Sequence, residues 1–146
     1  MKFSEIASEQ WEELAPYLDT CLLPVTGLSG GEKPHEATQR LERLRDLLDL
    51  IEIPFKGRIV TYPAWHYANG ANWQEALNGW CEAAKKSGFR YVIVASANQA
   101  LELREHSADL CFLPDEDGKL PKATEVSETV RALWSGQAAE SEAGSE

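Results

Sequence analysis

Residues 57–67, GRIVTYPAWHY, constrain the fold of this chain more than any other stretch. Gly57 opens an apolar run, Ile59 and Val60 give it β-branched character, and Pro63 ends it by withholding a backbone donor. The same plan occurs twice more, as CLLP at residues 21–24 and CFLP at residues 111–114. Apolar runs without polar alternation belong to strands covered on both faces, as in a parallel sheet between helix layers. Three such strands, each stopping at a proline, place three irregular loops at their carboxyl ends. That edge is where open α/β sheets bind ligands.

Periodicity supplies the helices. Ile6, Trp11, Leu14 and Leu18 fall near helical spacing over residues 4–17, with Ser4 or Ser8 as cap and Pro16 at the fraying end. The first strand, residues 20–25, leads through TGLSGGEKP (residues 26–34) into a helix over residues 35–51. Its apolar stripe is Ala37, Leu41, Leu44, Leu47, Leu48 and Ile51, while Glu42, Arg43, Arg45, Asp46 and Asp49 take the solvent side. Pro54 separates this helix from the second strand, residues 57–62. Asn72 and Glu75 read as a capping box for a helix buried through Leu77, Trp80, Cys81 and Ala84, with Gly88 just past its end.

FRYVIVAS, residues 89–96, is the third strand, residues 98–106 a short helix and residues 108–113 the fourth strand. After the turn PDEDGKLP, Thr124 caps a last helix carrying Val126, Val130, Leu133 and Trp134. From Gly136 onward GQAAESEAGSE has nothing to bury and reads as a disordered acidic tail, leaving residues 1–135 as a single α/β domain. A helix followed by four strand–helix units with right-handed crossovers makes a three-layer domain, Rossmann/flavodoxin-like, with a four-stranded parallel sheet. The expected strand order is 2-1-3-4. A switch point then falls between the first and third strands, flanked by the loops at residues 26–34 and 96–98.

Charge and composition narrow the partners. The 146 residues carry a net charge of −10, which repels a phosphate backbone, so no nucleic-acid partner is expected. No apolar run approaches the ~20 residues of a membrane helix, and no membrane insertion is expected. The opening MKFSEIASEQW lacks the apolar core of a signal peptide, which points to the cytoplasm. Cys21, Cys81 and Cys111 are odd in number and widely spaced within apolar runs; they read as reduced packing residues.

Several stretches carry a resemblance. MKFS ahead of a helix, YLDTCLLPV at residues 17–25, KGRIVTYPA at residues 56–64 and KKSGFRYV at residues 85–92 resemble the YpiF-like family of spore-forming Gram-positive bacteria, domain of unknown function 2487. The likeness covers most of the chain except the acidic tail. It implies a cytoplasmic bacterial protein of uncharacterised activity and brings no catalytic residues, cofactor or partner with it.

The candidate chemistry gathers at the carboxyl edge. Gly27, Gly30 and Gly31 lie between a strand and a helix, but Gly31 is followed by Glu32 and Lys33, which is neither the P-loop nor the dinucleotide spacing. Glu32, His35, His66, Asp115 and Asp117 are of types that ligate hard metals or zinc if the fold brings them together. Residues 23–35 are similar to the first metal motif of creatinine-amidohydrolase-like enzymes, a Glu and two His after a strand; here Glu32 and His35 are present and no second His follows. Tyr62, Trp65, His66 and Tyr67 form an aromatic cluster suited to a small organic ligand or a partner surface, or to capping the sheet end. Ser96 and Asn98 stand at the tip of the third strand, where Ser96 reads as a helix cap because no nucleophile elbow surrounds it.

The reading that follows is a noncatalytic accessory domain binding a small ligand or a protein through the carboxyl edge, with Gly30, Glu32, Tyr62, Trp65, His66, Tyr67, Ser96 and Asn98 as the candidate contacts. Its cofactor and oligomeric state are unknown. The rival is a metal-dependent hydrolase built on Glu32, His35, His66 and Asp115.

Overall fold

The computed structural model describes residues 1–67, 72–98 and 108–136. The apolar runs form β1 (Thr20–Pro24), β2 (Ile59–Thr61), β3 (Tyr91–Ala95) and β4 (Leu110–Phe112). They pair in the order β2-β1-β3-β4, and every pairing is parallel. Cys21 lies beside Val60 on one flank and Val92 on the other, so β1 is central and buried along its whole length. The α-helices among the described residues are α1 (Ser8–Leu14), α2 (Pro34–Glu52), α3 (Trp73–Lys86) and α4 (Ala123–Ser135).

Strand alternation divides the core into two layers. Cys21, Leu23, Val25, Val60, Val92 and Val94 face one way and pack with Leu77, Cys81 and Ala84 of α3 and with Leu18 and Phe89. Leu22, Ile59, Ile93, Ala95 and Phe112 face the other way, onto Leu47 and Ile51 of α2 and Val126, Val130 and Leu133 of α4. Burying each large aliphatic side chain contributes about 1.5–3 kcal/mol. The three-layer arrangement expected from the sequence, with strand order 2-1-3-4, is the one observed.

The amino edge of the sheet is closed by polar contacts. Arg58 donates to both Asp19 carboxylate oxygens, at 2.9 and 3.1 Å, and lays its guanidinium 4.1 Å from the Trp134 ring centre. Trp134 Nε1 donates to Thr20 Oγ1 at 2.9 Å, tying α4 to the fully buried start of β1. The Asp19 carbonyl accepts from the backbone N–H of both Arg90 and Tyr91. Beside β2, Lys2 makes a parallel bridge to Thr61, and the Thr61 N–H donates to the Met1 carbonyl at 2.8 Å.

Several local expectations need correction. The helix expected over residues 4–17 is a 3-10 turn, Phe3–Glu5, followed by α1, with the break at Ile6 and Ala7 in extended backbone. Asn72 stands before α3 but makes no side-chain cap, its backbone lying at φ −118°, ψ 16°. The cap of α4 is Lys122 rather than Thr124: extended backbone at Lys122 starts the helix at Ala123. Pro34 is the first residue of α2, as proline's fixed φ and missing donor favour, and Lys33 before it is extended. Leu41, expected on the buried stripe, is exposed, whereas Glu52 is buried. Gly88 does follow α3, at φ +129°. The expected helix at 98–106 falls, beyond Asn98, outside the described residues, as does the tail from residue 137.

Candidate binding cleft at the carboxyl edge

Pro63 does not end the pairing of the second strand; it sits in a bulge. The Tyr62 N–H donates to the Leu22 carbonyl at 2.9 Å, and the next donation to β1 runs from the Trp65 N–H to the Pro24 carbonyl at 2.8 Å. Three residues on one side therefore match two on the other, and proline occupies a place where no donor is needed. The extra residue brings Trp65 to the same face as Tyr62, and both pack against the α3 layer. The Tyr62 ring stands edge-on to Trp80 at 5.7 Å and to Phe89 at 5.5 Å. The aromatic cluster thus divides, with Tyr62 and Trp65 half-buried in packing and His66 and Tyr67 exposed.

The loops after β1 and β3 meet at the switch point. Asn98 Nδ2 donates to the Gly27 carbonyl at 3.1 Å, and the Asn98 N–H donates to Ser96 Oγ at 3.3 Å. Gly27 has φ +69°, and a Cβ there would stand 2.8 Å from Asn98 Cβ and from Asn98 Nδ2. Only glycine lets the two loops approach so closely. Ser96, fully buried, donates its N–H to the Phe112 carbonyl and so ties the β3 tip to β4. Beyond β4, Asp115 Oδ1 accepts from the N–H of Asp117 and of Lys119, both at 2.9 Å, folding that turn back over the edge.

These loops enclose a cleft of about 350 Å³, lined by Thr26, Ala97, Asn98, Asp117 and Gly118, with Arg40 and Arg43 of α2 on its wall. Among the described residues its lining comes from four segments of the chain that meet only in the folded sheet.

A family model described as protein of unknown function (DUF2487) matches residues 9–131, a span holding the four described strands and every described residue of this cleft. The chain belongs to that family. Comparison with curated proteins and with solved structures finds no match.

Within this DUF2487 domain the sequence candidates fall into different places. Glu32 turns back on its own loop, accepting from the Ser29 N–H at 2.6 Å, Ser29 Oγ at 2.9 Å and the Gly30 N–H at 2.9 Å. Arg40 Nη1 adds a fourth donor at 2.9 Å. Hydrogen bonding, led by the Ser29 N–H, pulls the Glu32 carboxyl down to about 2. Gly30 is one of these loop donors, and His35 stands exposed in the first turn of α2. Asp115 is committed to its turn. Among the described residues no three His, Cys, Asp or Glu groups lie close enough to hold a metal ion, so the set Glu32, His35, His66 and Asp115 is not brought together.

The thiols are equally committed. None of the three cysteines forms a disulfide among the described residues; burial pushes the Cys21 thiol far up, Cys81 to about 11 and Cys111 to about 12. A thiol so held stays protonated and is a poor nucleophile. A second hollow, about 270 Å³ and mostly apolar, lies between α2 and the end of β2, lined by Phe3, Leu41, Leu44, Leu48, Tyr62 and His66 among others. Of the cleft residues, Asn98 and Asp117 stand out in the sequence as candidates, Arg43 reads as a solvent-side residue of its helix, and Arg40 carries no signal. Both arginines sit one turn apart beside a glycine loop, and that juxtaposition is the clue the sequence offers.

Proposed function

We propose that this domain is a noncatalytic binding module, working in the cytoplasm, that takes a small ligand in the cleft between the ends of β1 and β3. The observation that carries this is the convergence of Thr26, Arg40, Arg43, Asn98 and Asp117 on one cleft of about 350 Å³ at the sheet's switch point. Pockets of about 300–1,000 Å³ with a few placed polar groups suit small ligands, and open parallel sheets carry them at this position. Three commitments favour binding over chemistry: the thiols stay protonated, Ser96 Oγ accepts from Asn98, and Glu32 is held by its own loop. Three thiols outside any disulfide among the described residues also fit a reducing compartment.

The test is an amide-resolved NMR screen of the full chain against a fragment library containing neutral, cationic and anionic members. Binders that shift Thr26, Ala97, Asn98 and Gly118 together are expected. Binders confined to the hollow around Phe3 and Leu41, with none in the cleft, would overturn the proposal.

A further inference from the structure

Building on that reading, we infer that the cleft's ligand carries one oxyanion group, a carboxylate or a phosphate, seated on the guanidinium of Arg43. Arg40 and Arg43 are three residues apart on α2, which puts both on the wall of the same cleft. Their states differ. Arg40 is held by Glu32 at 2.9 Å, while Arg43 has no ion pair among the described residues. In a chain with 24 acidic and 14 basic side chains, a guanidinium that lines this cleft has no counterion of its own among the described residues. A guanidinium presents a planar fork of donors that matches a carboxylate or phosphate in two parallel hydrogen bonds.

The rest of the lining limits how much negative charge fits. Asp117 is the one acid there among the described residues, and a second anionic group on the ligand would meet it. A ligand hydroxyl or ammonium, in contrast, would find an acceptor in Asp117. Arg40 is a second donor within reach of the same oxyanion. Glu32 would keep the Ser29 N–H, Ser29 Oγ and Gly30 N–H donors if Arg40 turned to the ligand, so its carboxylate would not be stranded.

The experiment titrates the ¹⁵N-labelled full chain with inorganic phosphate, glycerol 3-phosphate and lactate at ionic strength matched with chloride. Neutral glycerol and cationic ethanolamine serve as counter-probes. At least one of the anions should shift the Asn98 and Gly118 amides and the Arg43 Nε signal, and the phosphate and lactate arms separate the two oxyanions. Arg43→Ala should weaken that binding about tenfold or more, the loss expected for a charged hydrogen-bonding partner. Arg43→Lys should fall between, keeping the charge and losing the fork. Arg45→Ala, on the same helix but paired with Asp46, should change nothing. An unchanged thermal midpoint shows that each variant is folded. Equal losses in the Arg43 and Arg45 variants would mean diffuse surface attraction and overturn the inference. Cleft shifts with glycerol or ethanolamine but with no anion would overturn the oxyanion while leaving the binding cleft intact. If neither these probes nor the fragment library reach the cleft, both readings fall.

Discussion

Gly27→Ala is the sharpest perturbation of the switch point. The new residue would occupy φ +69°, a left-handed conformation that costs an L-residue about 1–2 kcal/mol. Its Cβ would also stand 2.8 Å from two atoms of Asn98, too close for any real contact, so the Asn98 side chain must move. Moving it breaks the 3.1 Å hydrogen bond to the Gly27 carbonyl, about 1 kcal/mol more. The total is about 2–3 kcal/mol. Gly30→Ala is the control: φ is +98° but nothing lies within 4 Å of the added Cβ, so only the backbone cost of about 1–2 kcal/mol applies. Asn98→Gly removes the obstructing side chain, and combining it with Gly27→Ala should cost about 1 kcal/mol less than the sum of the single changes. Urea unfolding followed by tryptophan fluorescence reads all four variants. Equal losses for Gly27→Ala and Gly30→Ala, or strict additivity with Asn98→Gly, would refute the contact between the two loops.

Three further outcomes follow from contacts already described. Lowering the pH should release the loop at residues 29–32: Glu32 falls from an ordinary 4.5 to about 2 in the folded chain, so its contribution is complete above about pH 4.5 and is lost as pH drops toward 2. The Ser29 and Gly30 amide shifts should titrate with that low midpoint and become insensitive in Glu32→Gln. Trp134→Phe should cost about 1–3 kcal/mol in urea unfolding, because it removes the donor to buried Thr20 Oγ1 and weakens the Arg58 stack, with ligand binding at the opposite edge unaffected. The three thiols should react with a disulfide reagent far more slowly in the native protein than in urea, and stability should fall above about pH 9, where unfolded thiols ionise and folded ones stay protonated.

The sheet was legible because three apolar runs ending at prolines leave few alternatives to a covered parallel sheet, and the crossover rule then restricts the order. Helix ends were less legible. Asn72 and Thr124 have side chains suited to capping, yet whether a cap forms depends on the backbone of the flanking turn. The bulge at Pro63 was hidden for a related reason: proline's missing donor fits both the end of a strand and a place where pairing is skipped. At the cleft, the glycine loop and Asn98 were legible from their places just after the first and third strands. Arg40 and Arg43 did not, because a helical projection separates buried from unburied faces and cannot tell open water from a cleft roofed by the turn at Asp115. Glu32 was misleading as a metal ligand, since only the folded loop reveals that its oxygens are already satisfied.

The two borders of the sheet have a consequence for how copies of the chain meet one another. An open strand with free amides and carbonyls recruits strands from other molecules, the usual route to swapped dimers and fibrils. Here β2 and β4 are three residues each, and backbone from Met1 and Lys2 already occupies the outer flank of β2. A second copy therefore finds no ladder to extend on the β2 side. Self-association at that border has to proceed through side-chain surfaces, where charge and shape set the partner, instead of through the indiscriminate pairing of peptide groups.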